Sequence, residues 1–82
     1  MSRFSKLKER ISEPEAQNNI TFDELCYVVQ KLGFIHRKKP SGHNVFTKDG
    51  IPEIINLQPG QNGKAKRYQV QQVADLVLQY DL

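Results

Sequence analysis

Thr21-Phe22-Asp23-Glu24 at one end and Gly33 at the other delimit a helix, and the rest of the chain must be arranged around it. The Thr21 hydroxyl is placed to accept from the N–H three residues on. Glu24 can reach back to the Thr21 N–H, which completes a capping box. Ile20 and Leu25 stand where the accompanying apolar staple packs. Phe22, Leu25, Cys26, Val29 and Leu32 recur at helical spacing and form one face. Gly33 suits the left-handed position that ends a helix, and Phe34 can close the cap with an apolar contact. A helix with one apolar stripe needs a surface to cover, and the flanking segments must supply it.

Downstream the pattern becomes that of strands. Residues 34–38 predict a short strand and residues 43–48 a second. Asp49-Gly50 is a hairpin signal, with Gly50 supplying the positive φ of the turn. Residues 52–58 predict a third strand, with Pro52 at its start, where a missing N–H is tolerable. Residues 59–66 hold Gly60 and Gly63 and few apolar groups, so they read as a flexible loop. A last helix is expected from about residue 69 to residue 80, with Val70, Val73, Ala74, Val77 and Tyr80 on one stripe. Upstream, residues 2–12 predict a short amphipathic helix whose apolar face is Phe4, Leu7 and Ile11. Pro14 and the polar run that follows it read as a linker. The expected organisation is an N-terminal helix and linker over residues 1–20, then a folded domain over residues 21–82. Its class is α+β, a three-stranded antiparallel sheet with amphipathic helices over one face.

A chain of 82 residues makes one small domain with a modest core and a stability of a few kcal/mol. That leaves no apolar surplus for a large enclosed cofactor, and none is expected. Cys26, the single cysteine, excludes an intramolecular disulfide and a multi-cysteine metal site. Its place on the apolar stripe predicts a packed thiol rather than a reactive one. No apolar run approaches the length of a membrane span, and no signal-peptide core is legible. A soluble, cytoplasmic protein with no membrane partner is expected.

The net charge of +3 is unevenly distributed. Residues 31–67 hold eight cations (Lys31, Arg37, Lys38, Lys39, Lys48, Lys64, Lys66, Arg67) against Asp49 and Glu53, so this middle stretch stands at +6. Such a field attracts a polyanion, although a solvated basic surface is the plainer reading of the same charges. Inside it, Arg37-Lys38-Lys39 runs into Pro40 and then Ser41-Gly42-His43-Asn44-Val45-Phe46. One imidazole therefore sits where a loop becomes a strand, behind three cations.

At this point the motifs resemble those of the HicA toxin family. The resemblance is carried by Phe22-Asp23-Glu24-Leu25 through Lys31-Leu32-Gly33-Phe34, by Ser41-Gly42-His43 in the place of the family's glycine-serine-histidine motif, and by Val45-Phe46. Ile54-Ile55-Asn56-Leu57-Gln58 and the run from Lys66 to Val73 resemble the later strand and final helix of longer members. The resemblance spans residues 21–80. It implies a double-stranded-RNA-binding-like fold, α-β-β-β-α, with the short N-terminal helix added. It also implies a metal-independent mRNA interferase, the toxin of a type II toxin–antitoxin pair, silenced by a HicB-type antitoxin. His43 then occupies the place of the catalytic histidine.

The chemistry this would require is legible residue by residue. RNA cleavage of this kind needs a base for the 2′-hydroxyl, cations for the developing phosphorane charge and an acid for the leaving 5′-oxygen. Histidine suits the proton steps, because its ordinary pKa of about 6.5 lies near working pH. Fixed lysine or arginine heads suit the charge. His43 is the candidate for proton transfer, against the alternative of a strand-edge histidine bonded to a neighbouring backbone. His36 alternates onto the face of Phe34 and is expected to be a satisfied, partly buried imidazole. Arg37, Lys38 and Lys39 can approach a phosphate near His43, while Lys48, of opposite parity, faces a different surface. Lys64, Lys66 and Arg67 are candidates to clamp an RNA backbone. Gly42 allows close approach to a phosphate and Ser41 can bond its oxygen, although Pro-Ser-Gly forms a turn in any protein. Tyr68 is placed either to stack on a base or to pack at the helix entry. Two other functions fit the same residues. One is a non-catalytic RNA-binding module, or a degenerate toxin retained for binding, given the swapped order of Ser41 and Gly42. The other is a docking domain for an acidic protein.

Overall fold

The computed structural model describes residues 2–40 and 43–82. Its elements follow in the order α1 (Arg3–Ile11), a 3-10 helix (Pro14–Asn19), α2 (Phe22–Lys31), β1 (Ile35–Lys38), β2 (Asn44–Lys48), β3 (Ile51–Leu57), a short 3-10 turn (Gln61–Gly63) and α3 (Arg67–Tyr80). The strands form one antiparallel sheet in the order β1-β2-β3. The expected α+β class and sheet are therefore observed.

Both ends of α2 are made as its residues dictate. The Thr21 hydroxyl accepts from the Glu24 N–H at 3.1 Å, and Glu24 accepts from the Thr21 N–H at 3.0 Å. At the other end Gly33 has φ +103°, its N–H donates to the Gln30 carbonyl, and the Phe34 N–H donates to that of Val29. That is the paired hydrogen bonding of a Schellman cap, and Phe34 is buried behind it. Leu25, Val28 and Val29 face the core.

One layer of core lies between the helices and one face of the sheet. Phe46, Ile55 and Leu57 supply the sheet side, and Leu25, Val28, Val29, Val70, Val73 and Val77 pack against them from α2 and α3. Leu7 and Ile11 of α1 enter the same cluster, as does Ile20. The segment expected to be a linker is a 3-10 helix tied down by Gln17. Its amide donates to the Ile11 carbonyl and to the Gln71 side chain of α3, both at 3.0 Å.

Residues 59–66 are not the flexible loop that their composition suggested. Pro59 and Ala65 form a bridge, the Gly60 N–H donates to the Lys64 carbonyl at 2.7 Å, and the Ala65 N–H donates to Ile20 at 2.9 Å. Glycine is required at residue 60 because a Cβ there would lie 2.9 Å from the Lys64 carbonyl oxygen. The composition-based expectation failed because backbone pairing, with Ala65 buried in the core beside it, holds this segment.

α3 lies along the outer edge of β3 and begins at Arg67, two residues before the expected start. Gln69 and Gln72, three residues apart on the helix, donate to the carbonyls of Asn56 and Ile54. They satisfy an edge that would otherwise present unpaired backbone.

Candidate active site on the open face of the sheet

The side-chain alternation of strands divides the sheet into two faces with different chemistry. Phe46, Ile55 and Leu57 point into the core. By register, the opposite face carries Ile35, Arg37 and Lys39 from β1 and the residue after it, Val45 and Thr47 from β2, and Ile54 and Asn56 from β3. This face is open, with Ile35 56 % and Ile54 57 % exposed.

His43 belongs to that open face. It precedes β2 and continues its pairing with the β1 side. The Lys39 N–H donates to the His43 carbonyl at 2.9 Å, which extends the ladder in which Lys38 faces Asn44. On the β3 side Asn44 faces Leu57, so Gln58 falls opposite His43. The Gln58 amide nitrogen lies 2.7 Å from Nδ1 of His43 and 3.4 Å from Nε2. Across the sheet, Lys39, His43 and Gln58 thus form one row, and Arg37, Val45 and Asn56 form the next. The imidazole is half-buried, with Arg37 and Lys39 exposed beside it.

Gln58 is itself anchored. Gln69 of α3, 3 % exposed, accepts from the Gln58 backbone N–H at 3.3 Å. In either orientation of its amide, Gln69 also donates to a carbonyl at the end of β3, to Asn56 at 3.3 Å or to Gln58 at 3.1 Å. The sequence reading missed Gln58 and Gln69 as site residues. A signal was available: Gln58 is the last residue of the expected third strand, and Gln69, eleven residues on, opens the expected last helix.

The other candidate residues are distributed differently. Lys38, paired with Asn44, lies on the opposite side of the sheet from His43. His36 pairs with Phe46 and stacks flat on its ring, with centroids 4.5 Å apart and planes 10° apart. It shares the covered side, as its parity predicted, but it is exposed rather than partly buried. β1 is an edge strand, and from the helices the Gln30 amide of α2 reaches Nδ1 of His36 at 3.5 Å without covering the ring. His36 is satisfied by the Asn44 side chain at 2.8 Å, so the two imidazoles face opposite ways and cannot act on one substrate atom. The Lys48 side chain runs over Gly33, at the far end of β2 from His43.

Lys64 and Lys66 flank Ala65, which pairs with Pro59 immediately after Gln58, so they border the His43 end of the sheet. Arg67 opens a groove of about 610 Å³ beside α3, shared with Gln17, Glu53, Tyr68, Gln71, Gln72, Asp75 and Leu76. Tyr68 is 68 % exposed, which removes the reading that it packs at the helix entry. Ser41 and Gly42 lie outside the described residues. Cys26 is a packed thiol whose pKa is pushed up to about 11, first by burial and then by the charge of Asp23. Among the described residues no helix is long and apolar enough to cross a membrane.

Comparison with known proteins found no matching family model, no matching curated protein and no matching solved structure.

Proposed function

We propose that this chain is an endoribonuclease of the toxin type, with His43 transferring the proton and Lys39 and Arg37 holding the scissile phosphate. The observation that carries the reading is the row of Lys39, His43 and Gln58 on the uncovered sheet face, with Arg37 in the next row. It sets an imidazole and two exposed cations on one uncovered face of the sheet. The 2′-oxygen of RNA attacks the adjacent phosphorus as its proton passes to His43, and the bond to the 5′-oxygen breaks as that oxygen takes a proton from water. The cations need no reorganisation as charge builds on the phosphorane. Lys64, Lys66 and Arg67 add salt-dependent affinity for the backbone. The HicA resemblance supplies the biological frame: mRNA as substrate in the cytoplasm, no metal, and a HicB-type antitoxin that must cover the open face.

The test is induced expression of the wild type and of His43→Ala, followed by mapping RNA ends. The wild type should yield 2′,3′-cyclic phosphates and free 5′-hydroxyls. His43→Ala should lose at least about 100-fold in rate while still binding RNA. Identical RNA profiles from the two proteins would sink the catalytic role.

A second reading, a non-catalytic RNA-binding module, draws on the position of His36. The second imidazole of the chain lies on the other side of the sheet, so His43 needs water or the substrate itself to complete the acid–base pair. Retained binding with no cleavage by the wild type selects this reading.

A further inference from the structure

We infer that Gln58 is the positioning residue for His43, holding the direction of its ring and coupling the orientation of its own amide to the nitrogen that carries the proton. The inference rests on His43 as the proton-transfer group and adds how that group is held.

Three observations converge on Gln58. Its amide is the side chain bonded to the imidazole, at 2.7 Å from Nδ1. Its own backbone N–H is bonded to Gln69, a glutamine 3 % exposed in the apolar stripe of α3. Extending the Asn44–Leu57 pair by one residue sets Gln58 opposite His43, so the contact lies on the line of the strand pairing. A long polar side chain loses rotamer freedom when held, and here the helix and the sheet edge hold its backbone in place.

The amide also explains how one imidazole is made ready. The nitrogen further from Gln58 is Nε2, at 3.4 Å. With the amide N–H toward Nδ1, as it stands in the structure, the ring carries its proton on Nε2 and presents a donor. With the amide turned half a revolution, its oxygen accepts from Nδ1–H and leaves the Nε2 lone pair to take a proton. The second arrangement is the one a base requires. It also supports the imidazolium after the proton has arrived, because the amide oxygen then accepts from a charged N–H. Gln58 therefore acts through His43 and touches no reacting atom.

The test compares Gln58→Met, which keeps the length and removes both polar atoms, with Gln58→Glu, which offers only acceptors. Ring nitrogen chemical shifts of His43 are recorded at about pH 8.5, where a free histidine is neutral. The Glu variant should show a single Nδ1–H tautomer, and the Met variant the mixture of an unconstrained imidazole. In RNA cleavage, Met should lower kcat by about 100-fold with KM within about twofold, and Glu should restore it to within about tenfold. Thermal unfolding of both variants close to wild type separates positioning from folding. A Met variant with the wild-type tautomer and the wild-type kcat would overturn the inference. Failure of the cleavage reading is seen separately. A wild type that cuts no RNA, yet whose ring tautomer depends on Gln58, keeps the contact and removes only the reaction.

Discussion

His43 and His36 show how much a single residue's strand parity decides. They are seven residues apart, one on β1 and the other just before β2, and their opposite faces follow from alternation once the register pairs His36 with Phe46. The one lies among cations on the open face; the other is stacked on Phe46 and bonded to Asn44. Cys26 supports a prediction at the same scale. A rise in its pKa from 9.0 to about 11 leaves roughly a hundredth of the ordinary thiolate at about pH 8. Alkylation by iodoacetamide should be at least tenfold slower in the native protein than in urea, and equal rates would show the thiol unburied. The sign of the pH effect follows. The folded state favours the neutral thiol, so this contribution to stability is complete below about pH 9 and is lost as pH rises through about 11.

Among the elements, α2 was the most legible and residues 59–66 the least. A capping box and a terminal glycine are local devices, satisfied within a few residues of themselves, so their chemistry is visible in the string Thr21-Phe22-Asp23-Glu24 and in Gly33-Phe34. Substituting Thr21→Ala should cost about 1 kcal/mol, a fall in melting temperature of about 4–8 °C, with the helix content retained. A melting temperature unchanged within error would mean that the cap contributes nothing. The segment after β3 gave no such local signal. Its order comes from the Pro59–Ala65 bridge and from the bond between Ala65 and Ile20, forty-five residues away in the chain. Composition reports how much a segment can bury, and here one buried alanine and backbone pairing suffice to order it.

At the scale of the molecule, α1 belongs to the same core as the sheet. Ile11 is fully buried, and Arg10 ties α1 to the next segments through the Asn19 carbonyl at 3.0 Å and through Glu24 at 3.7 Å. The ion pair is partly exposed and contributes little, so the apolar contacts carry the docking. Substituting Ile11→Ala should therefore cost about 2–5 kcal/mol in urea unfolding, a large part of the stability of so small a domain. A loss below about 1 kcal/mol would show that α1 is an appendage. The amphipathic face of residues 2–12 was legible as a helix, but amphipathicity does not name the surface that a helix covers. The same division holds for the site. By itself the sequence determined the helices, the hairpin at Asp49-Gly50, the α+β class and a histidine behind a basic run, because each depends on residues close together in the chain. Only the tertiary structure decided that Lys39 and Arg37 share a face with His43 while Lys38 does not, and that Gln58 and Gln69 hold its imidazole in place. Those relations depend on strand register and helix docking, and both are set by the shared core rather than by any neighbour in sequence.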